Sequence, residues 1–472
     1  MAIKGFFQTR LTAFIILLGI IVYIVAAASV SLNRYWQFNA FWYDLGLYDT
    51  AIYKVAHFKA PIIEQFAPPD GKIIFADHFN PSLFIFSPIY WFTDKTEAIL
   101  IAQAVTVGLS AWIAYFIAKK FIKQKITILA LVISYLGFVG LQNALYTDFH
   151  DTTVATLSLM LTFWAIFSKK WKFYWLFLAV TLGFKESMAG LGVGLGLFLM
   201  LAKPRNLKIG YLTIIFSILY FFVVTKIIIP YFSGGSYSYV PQLAAYTPLD
   251  VVWSFFAPSI KANTIIYSLL TFGFAPIFSL ATLPAITEHF AERFVLSQAG
   301  TRWDLGFHYN ALLSPLLFIA TLPFVTFLQK RSKFLLSTWS ITTISMVIFL
   351  HRFYLHGPLL LAHHPVFYQD TKRAQFMRDF VDAVPVEREL IMTGNNIAAH
   401  LSHKSVTLIN LVNFDDISPS VVALDLRGGQ NANNFFPATY DDAKALYNYL
   451  YNNPNYERIG YNGFQHIFVK TK

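Results

Sequence analysis

Acidic and histidine side chains occur close together at two places in this sequence. Asp77 and His78 are adjacent, and His150 lies between Asp148 and Asp151. Carboxylate and imidazole groups can accept a proton from a reacting hydroxyl, or they can hold a divalent cation together with a phosphate. The spacing matches no fixed metal-ligand motif, so the cofactor stays unknown and a divalent cation is one candidate. Taken singly, each histidine is more typical of hydrogen bonding at a membrane interface.

A separate aspartate, Asp44, lies in the aromatic run 41–49, which predicts the start of an amphipathic helix on the membrane surface. Its apolar face would comprise Leu45, Tyr48, Ile52 and Val55. An aspartate at a helix start commonly caps backbone N–H groups, which is the structural interpretation of Asp44. The same carboxylate is also a candidate catalytic base, and Asp49 is a weaker one.

Further charged groups interrupt apolar stretches later in the chain. Lys185 and Glu186 stand alone in the middle of the apolar stretch 173–202, and Arg302, His308 and Tyr309 precede another one. Ionisable groups at membrane depth are costly and usually mark a pathway or a site. We therefore expect these residues, with His78, Asp148 and His150, to line a substrate-binding cavity in which an arginine or lysine holds a phosphate.

The composition indicates that the elements holding these groups are membrane helices. The 472 residues are 56% hydrophobic and only 13% charged, whereas soluble domains carry about 25% charged residues. The net charge of +11 arises mostly from short Lys and Arg clusters between apolar runs, which indicates membrane topology and no nucleic-acid partner. Without cysteine, disulfides and zinc–thiolate sites are excluded.

Alternating basic and acidic loops predict how the chain crosses the membrane. The apolar run 11–30 follows Lys4 and Arg10 and reads as an uncleaved first helix, so that about ten crossings start from a cytoplasmic N-terminus. A large first outside loop is expected at 31–79, followed by a short re-entrant segment that ends near Phe92. Simple spans are predicted at 98–118, 126–141, 152–167, 209–229, 311–328 and 334–350. Residues 173–184 and 187–202 are too short for full spans and predict a hairpin with Lys185 and Glu186 at its tip, while 262–287 predicts a second broken pair.

From about residue 351 charges and asparagines return and the apolar runs shorten. Helices are predicted at 370–384 and 440–451, and strands at 389–393, 405–410, 421–426, 456–461 and 464–470. The fold class is thus an α-helical polytopic membrane protein with a small C-terminal extracytoplasmic α/β domain. Its expected domains are a transmembrane domain at 1–350 and an α/β domain at 351–472, in the plasma membrane.

Five short motifs, in order, resemble a family of predicted bacterial and archaeal membrane proteins of unknown function. They are 41–49, 77–81, 148–151, 184–186 and 307–309, and the likeness extends to 398–402. That family is similar to the GT-C class of membrane glycosyltransferases, so the resemblance implies a GT-C-like bundle, a polyprenyl-phosphate sugar donor and an unidentified acceptor. It also implies that the acidic residue of the first outside loop, here Asp44, is the base or a metal-linked group, although no acidic pair flanks it.

The mechanism that the resemblance implies is inverting transfer, with Asp44 removing a proton from the acceptor. Lys185 and Arg302 would hold the departing phosphate, and His78 and His150 would position the acceptor or a cation. The main alternative is a lipid or solute transporter or flippase, which would use the same buried charges during passage. An inert scaffold or sensor is a third possibility.

Overall fold

The computed structural model of the chain describes residues 2–239, 247–297, 299–460 and 462–471. Helices dominate the chain as far as Phe349. They are α1 Ala2–Trp36, α2 Leu47–Ala56, α3 Glu97–Phe121, α4 Lys125–Gly137, α5 Val139–Tyr146, α6 Asp151–Phe167, α7 Trp171–Leu182, α8 Met188–Leu201, α9 Leu207–Val223, α10 Ile229–Ser233, α11 Pro248–Ser254, α12 Ser259–Thr271, α13 Leu283–Phe294, α14 Leu313–Arg331 and α15 Lys333–Phe349.

Within the described part of the chain, five helical stretches are long and apolar enough to cross a membrane. They are Leu11–Trp36, Glu97–Phe121, Leu207–Ser233, His308–Arg331 and Lys333–Tyr354. A sixth is formed if α4 and α5, which meet at a bend of 41°, count as one span. Three shorter apolar helices, α6 to α8, accompany them. The expected ten crossings therefore correspond to five or six long spans and several shorter helices.

Both predicted breaks are present. Helices α7 and α8 have only 12 and 14 residues, and the tip between them carries Lys185 and Glu186. In the other pair, α12 ends at Thr271 and α13 starts at Leu283. Gly273 adopts a φ of +58° between them, a conformation that glycine accepts without a steric penalty.

The first loop differs from the prediction. Helix α1 continues to Trp36, so residues 31–36 belong to a helix and not to a loop. Ser31 is buried and donates a hydrogen bond to the Leu145 carbonyl at 2.6 Å, which joins this last turn of α1 to α5. The remainder of the loop holds a π-helix at Trp42–Gly46, α2, and a two-strand hairpin of β1 (Ile62–Ile63) and β2 (Lys72–Ile73). A 3-10 helix at Pro81–Trp91 follows, in the segment predicted to be re-entrant.

The prediction that α2 lies on the membrane surface is wrong. Of the predicted stripe, Tyr48, Ile52 and Leu45 of the preceding π-helix are buried and Val55 is half-buried, but Asp49 and Thr50 on other faces are buried as well. The helix packs against the 3-10 helix on one side and touches the C-terminal region on the other. Because protein surrounds it, the apolar stripe is a packing surface and not a lipid-facing one.

The C-terminal region has a five-stranded sheet in the order β4-β3-β5-β7-β6. The strands are β3 Ile391–Thr393, β4 Val406–Leu408, β5 Val421–Asp425, β6 Tyr456–Arg458 and β7 Gln465–Lys470, and the helices are α16 Lys372–Asp382, α17 Asn395–Ala398, α18 Phe414–Ile417 and α19 Tyr440–Tyr451. Each predicted strand and helix of this region is found, with shorter bounds in most cases, and the predicted strand end at Tyr461 lies outside the described residues.

Successive residues of β5 face two different cores. Val421 and Ala423 share a core with the helical bundle, whereas Val422 and Leu424 pack with α18 and α19. This alternation is the two-residue period of a strand. The sheet therefore presents one apolar face to the bundle, and this contact brings the C-terminal region against the first loop.

Candidate functional site

Asp44 and His150 form the centre of the candidate site. Asp44 Oδ1 lies 3.2 Å from His150 Nε2, and the Asp44 side chain is 47% exposed while His150 is buried. On its other side the His150 ring stacks on His308, with ring centroids 3.4 Å apart. The structure thus brings together three residues that are more than a hundred positions apart in pairs, and it leaves one carboxylate open to a ligand.

Asp44 is not a helix cap. The π-helix begins at Trp42, its N-cap residue Phe41 has no side-chain capping bond, and Asp44 lies within the first turn. Burial acts to raise the pKa of Asp44, but His150, then Arg34 and Lys185, outweigh it, so that the pKa lies below its ordinary value. The carboxylate is therefore ionised at neutral pH, as a base must be.

The turn that carries His150 is held from both ends by Gln103. The Gln103 amide nitrogen donates to the Asp148 carbonyl at 2.8 Å, and the backbone N–H of His150 donates to the Gln103 amide oxygen at 2.8 Å. The Asp148 carboxylate accepts from the Phe41 N–H at 3.1 Å and lies 3.5 Å from Arg34. Burial raises the pKa of Asp148 to about 6, although Arg34 opposes this. Asp148, predicted to bind substrate, thus fixes the loop that carries Asp44.

Asp49 has a different environment from Asp44. It has no exposed surface, and it accepts hydrogen bonds from Thr96 at 2.8 Å, Ser402 at 2.6 Å and the Tyr90 hydroxyl. His403 Nε2 lies 3.1 Å away. Burial acts to raise the pKa of Asp49, but His403, Ser402 and Tyr90 hold it below its ordinary value. This geometry fits an anchor between three segments and does not support Asp49 as a base.

A cavity of about 410 Å³ lies near the Asp44–His150 pair; neither Asp44 nor His150 lines it, but Lys185, which does, is close enough to lower the pKa of Asp44. Of the predicted substrate-binding residues, five line it: His78, Lys185, Glu186, Arg302 and Tyr309. Helix α9 supplies an apolar wall with Ile218, Phe221 and Phe222. His308 connects the cavity to His150, since it stacks on His150 and its ring lies 4.0 Å from that of Tyr309.

Glu186 is engaged within the protein. Its carboxylate is buried and contacts His78 Nδ1 at 2.7 Å, the Phe79 N–H at 3.1 Å and the Tyr237 hydroxyl at 2.9 Å. Burial acts to raise the pKa of Glu186, but the neighbouring His78 and Lys185 lower it to about 2. Glu186 therefore orients His78, which places one imidazole face at the cavity.

The cavity has cationic groups that lack an acidic partner. Among the described residues, no hydrogen-bond acceptor or carboxylate pairs directly with Lys185. Burial acts to lower the pKa of Lys185, but the nearby Asp151 and Glu186 raise it above its ordinary value. Arg302 lies over the Tyr309 ring at 4.8 Å. Arg293 donates to the carbonyls of Arg302 and Asp304 and keeps its buried Nη1 without a partner among the described residues. Such groups favour an anionic ligand, while the carboxylates of Glu288 and Glu292, which also line the cavity, limit its positive charge.

The sequence prediction omitted Arg34 and Gln103 from the site. Arg34 follows the first apolar run and Gln103 interrupts the second, so a polar residue at a span was the available signal. In the described part of the chain, no group of three or more His, Asp or Glu is arranged to hold a metal ion. Asp44–His150 and His78–Glu186 are pairs, and the divalent cation remains a prediction.

Two comparisons place the chain among known proteins. The profile of a family described as predicted membrane protein (DUF2079) matches residues 34–451. No curated protein sequence matches the chain. Among solved structures, the fold is similar to that of ArnT from Cupriavidus metallidurans bound to undecaprenyl phosphate, with a TM-score of 0.51, 10% identity, and coverage of 96% of this chain and 98% of ArnT. The expected helical membrane protein is confirmed, and its fold is similar to that of ArnT.

Proposed function

Because the chain belongs to the DUF2079 family of predicted membrane proteins and has an ArnT-like fold, we propose that it is a membrane glycosyltransferase. Its donor would be a sugar linked to polyprenyl phosphate and its acceptor a hydroxyl compound. We place the reaction at the outer face of the plasma membrane, with the N-terminus in the cytoplasm and the C-terminal region outside, in accordance with the distribution of basic loops.

One observation carries the proposal: a single cavity combines an apolar wall with unpaired cations, and Asp44, outside its lining, is close enough to Lys185 for the two charges to interact. The apolar residues of α9 suit a hydrocarbon tail, and Lys185, Arg293 and Arg302 suit the phosphate. ArnT was solved with a ligand of this chemistry. A charged headgroup on a lipid tail needs both environments next to each other.

The proposed reaction is an inverting substitution. The acceptor hydroxyl donates its proton to Asp44 as its oxygen attacks the anomeric carbon of the sugar. The bond between that carbon and the phosphate oxygen breaks, and its electron pair leaves with the polyprenyl phosphate. Lys185 and the arginines stabilise the charge on the leaving phosphate, and the His150–Asp44 contact keeps the base ionised and oriented.

The donor-binding half of the proposal is tested with purified protein in lipid nanodiscs and undecaprenyl phosphate. Lys185→Met removes an unpaired cation of the cavity and should weaken binding about 10- to 100-fold. Lys226→Met is the matched control because Lys226 is exposed in the π-helical turn after α9 and does not line the cavity. Equal affinity of the Lys185→Met variant and the wild type would contradict the phosphate assignment.

The transfer half is tested with a radiolabelled polyprenyl-phosphate sugar and a cell-envelope extract as acceptor source. Wild type should release the labelled sugar from the lipid, and Asp44→Asn should not, whereas Asp70→Asn, at an exposed aspartate of the same loop, should remain active. If no donor is consumed while lipid or solute crosses the vesicle membrane, the transporter interpretation replaces the enzyme.

A further inference from the structure

The hydrogen bonds between the C-terminal region and the helical stretch that carries Asp44 come from one short segment, while Phe436 adds a ring contact with Tyr43 at 5.1 Å. This segment consists of α17 and the residues that follow it, from 395 to 403. Asn395 is buried and contacts Tyr43, the residue immediately before Asp44. Ser402 and His403 contact Asp49 in the middle of the same helical stretch. Both contacts are made by residues between β3 and β4, outside the strands of the sheet.

The start of the Asp44 helix lacks a cap of its own. The first N–H groups of any helix have no partner within that helix, and a side chain of the preceding residue commonly accepts from one of them. Here the preceding residue is Phe41, which cannot do so. The N–H groups of Asp44, Leu45 and Gly46 all donate to the Phe41 carbonyl, at 2.9 to 3.5 Å. The N–H of Tyr43 remains free for an outside acceptor.

Two distant regions supply the missing caps. The Asp148 carboxylate accepts from the Phe41 N–H at 3.1 Å, and the Asn395 amide oxygen accepts from the Tyr43 N–H at 3.1 Å. Asn395 is itself oriented, because its amide nitrogen donates to the Asn433 carbonyl at 3.0 Å. The backbone that leads into Asp44 is thus held from the membrane bundle on one side and from the C-terminal region on the other.

The rest of the segment fixes the helix axis. Ser402 Oγ donates to Asp49 at 2.6 Å, and the Thr50 hydroxyl donates to the Ser402 carbonyl at 2.6 Å. The His400 ring packs between Tyr35 and Phe38, with centroids 4.1 and 3.9 Å away. Burial lowers the pKa of His400 to about 3, so this ring stays neutral and packs as an aromatic residue. The 398–402 motif noted in the sequence therefore lies within this contact.

From this geometry we infer that Asn395 is a positioning residue for Asp44. The C-terminal region would act in the reaction by capping, from a distant part of the same chain, the helix that carries the base. The inference rests on the proposed function for its catalytic consequence, but not for the cap itself. A displacement of a base by about 1 Å can reduce a rate about 100-fold. The C-terminal region thereby has a role in catalysis without touching the reacting atoms.

The capping contact is tested by hydrogen exchange, which needs no assay of activity. In the purified full-length protein, Asn395→Ala should speed exchange of the Tyr43 N–H within a peptide that covers 41–49, because its acceptor is lost. The matched control is Thr393→Val, which removes a buried hydrogen bond to the Ala423 carbonyl in the same sheet and leaves Tyr43 untouched. Unchanged exchange in Asn395→Ala, or equal acceleration in the control, would overturn the cap.

The catalytic consequence is tested by transfer kinetics on the same proteins. Asn395→Ala should lower kcat about 10- to 100-fold with an unchanged donor KM. Asn395→Asp retains an oxygen that accepts from Tyr43 and should recover most of kcat, which a merely structural loss would not allow. Equal defects in the Ala and Asp variants, or full activity in both, would overturn the positioning role. A wild type without transfer, combined with faster exchange in Asn395→Ala, would contradict the proposed function and leave the cap standing.

Discussion

Asp44 and Asp49 lie five residues apart in one helical stretch, yet their environments are opposites. Asp44 is 47% exposed and contacts a single histidine near a cavity. Asp49 is fully buried among a threonine, a serine, a tyrosine and a histidine. Both have a lowered pKa, and in both cases neighbouring polar groups outweigh burial. A lowered pKa thus does not separate a base from an anchor, whereas access to a ligand does.

The largest expected effect is on the Asp44 side of this comparison. Asp44→Asn should lower transfer about 10²- to 10⁴-fold, the usual contribution of a general base, with little change in thermal stability. Steady-state transfer and a melting curve on the same preparation check both halves. An Asp44→Asn protein that transfers at the wild-type rate would show that the base lies elsewhere.

Asp49→Asn should show the reverse pattern. It places an amide donor against hydroxyl donors in a buried site, so unfolding free energy should fall by about 3 kcal/mol. The pKa of Asp49 is lowered, so its stabilisation is present above the pKa of the unfolded chain and is lost as the pH falls through its folded value. The deficit in melting temperature should therefore be nearly constant from pH 5 to pH 8. A normally stable but inactive Asp49→Asn protein would exchange the two roles.

His150→Gln tests the role of the histidine that contacts Asp44. Removal of the imidazole takes away the largest influence that lowers the pKa of Asp44, so this pKa should rise. The acid limb of the pH–rate profile should then move to higher pH, and transfer at neutral pH should fall about tenfold. His57→Gln, at an exposed histidine that ends α2, is the control. An acid limb that stays in place would separate His150 from the base.

The smallest effect concerns Asp148, whose pKa is raised and not lowered. Between about pH 4 and pH 6 the unfolded chain releases this proton while the folded protein retains it, so stability is lost as the pH rises through about 6. Asp148→Asn cannot ionise and escapes this loss. Its melting temperature relative to wild type should therefore increase between pH 5 and pH 7.5, by the equivalent of about 1 kcal/mol. A difference that falls over this range would contradict the buried, proton-retaining carboxyl.

Sequence patterns predicted where helices and strands occur better than they predicted what packs against each of them. The short legs of the α7–α8 hairpin followed from length, and strands such as Val421–Asp425 from apolar β-branched residues. The stripe on α2 was also real, but a stripe cannot distinguish lipid from protein as the partner. Residues 395–403 cover the side of α2 that the 3-10 helix leaves open, and no local sequence pattern links them to residue 49.

For the site, too, the sequence predicted the location of residues better than their contacts. His78, Lys185, Glu186, Arg302 and Tyr309 were expected at one cavity because charges are costly in apolar stretches, and all five line it. The roles were harder to predict, because Asp148 turned out to hold the Phe41 N–H and Glu186 to hold His78. Such pairings depend on contacts between residues about a hundred positions apart, which only the tertiary structure defines.

The most direct measurement is a cryo-electron microscopy structure of the protein in nanodiscs with undecaprenyl phosphate. The account predicts phosphate oxygens within about 3 Å of the Lys185 and Arg302 nitrogens, as in charge-assisted hydrogen bonds, with the tail along the apolar wall of α9. It also predicts that the Asp44 carboxylate lies on the side of the phosphate that the lysine and arginine side chains do not cover. A phosphate bound away from this cavity, or on the far side from Asp44, would contradict the account.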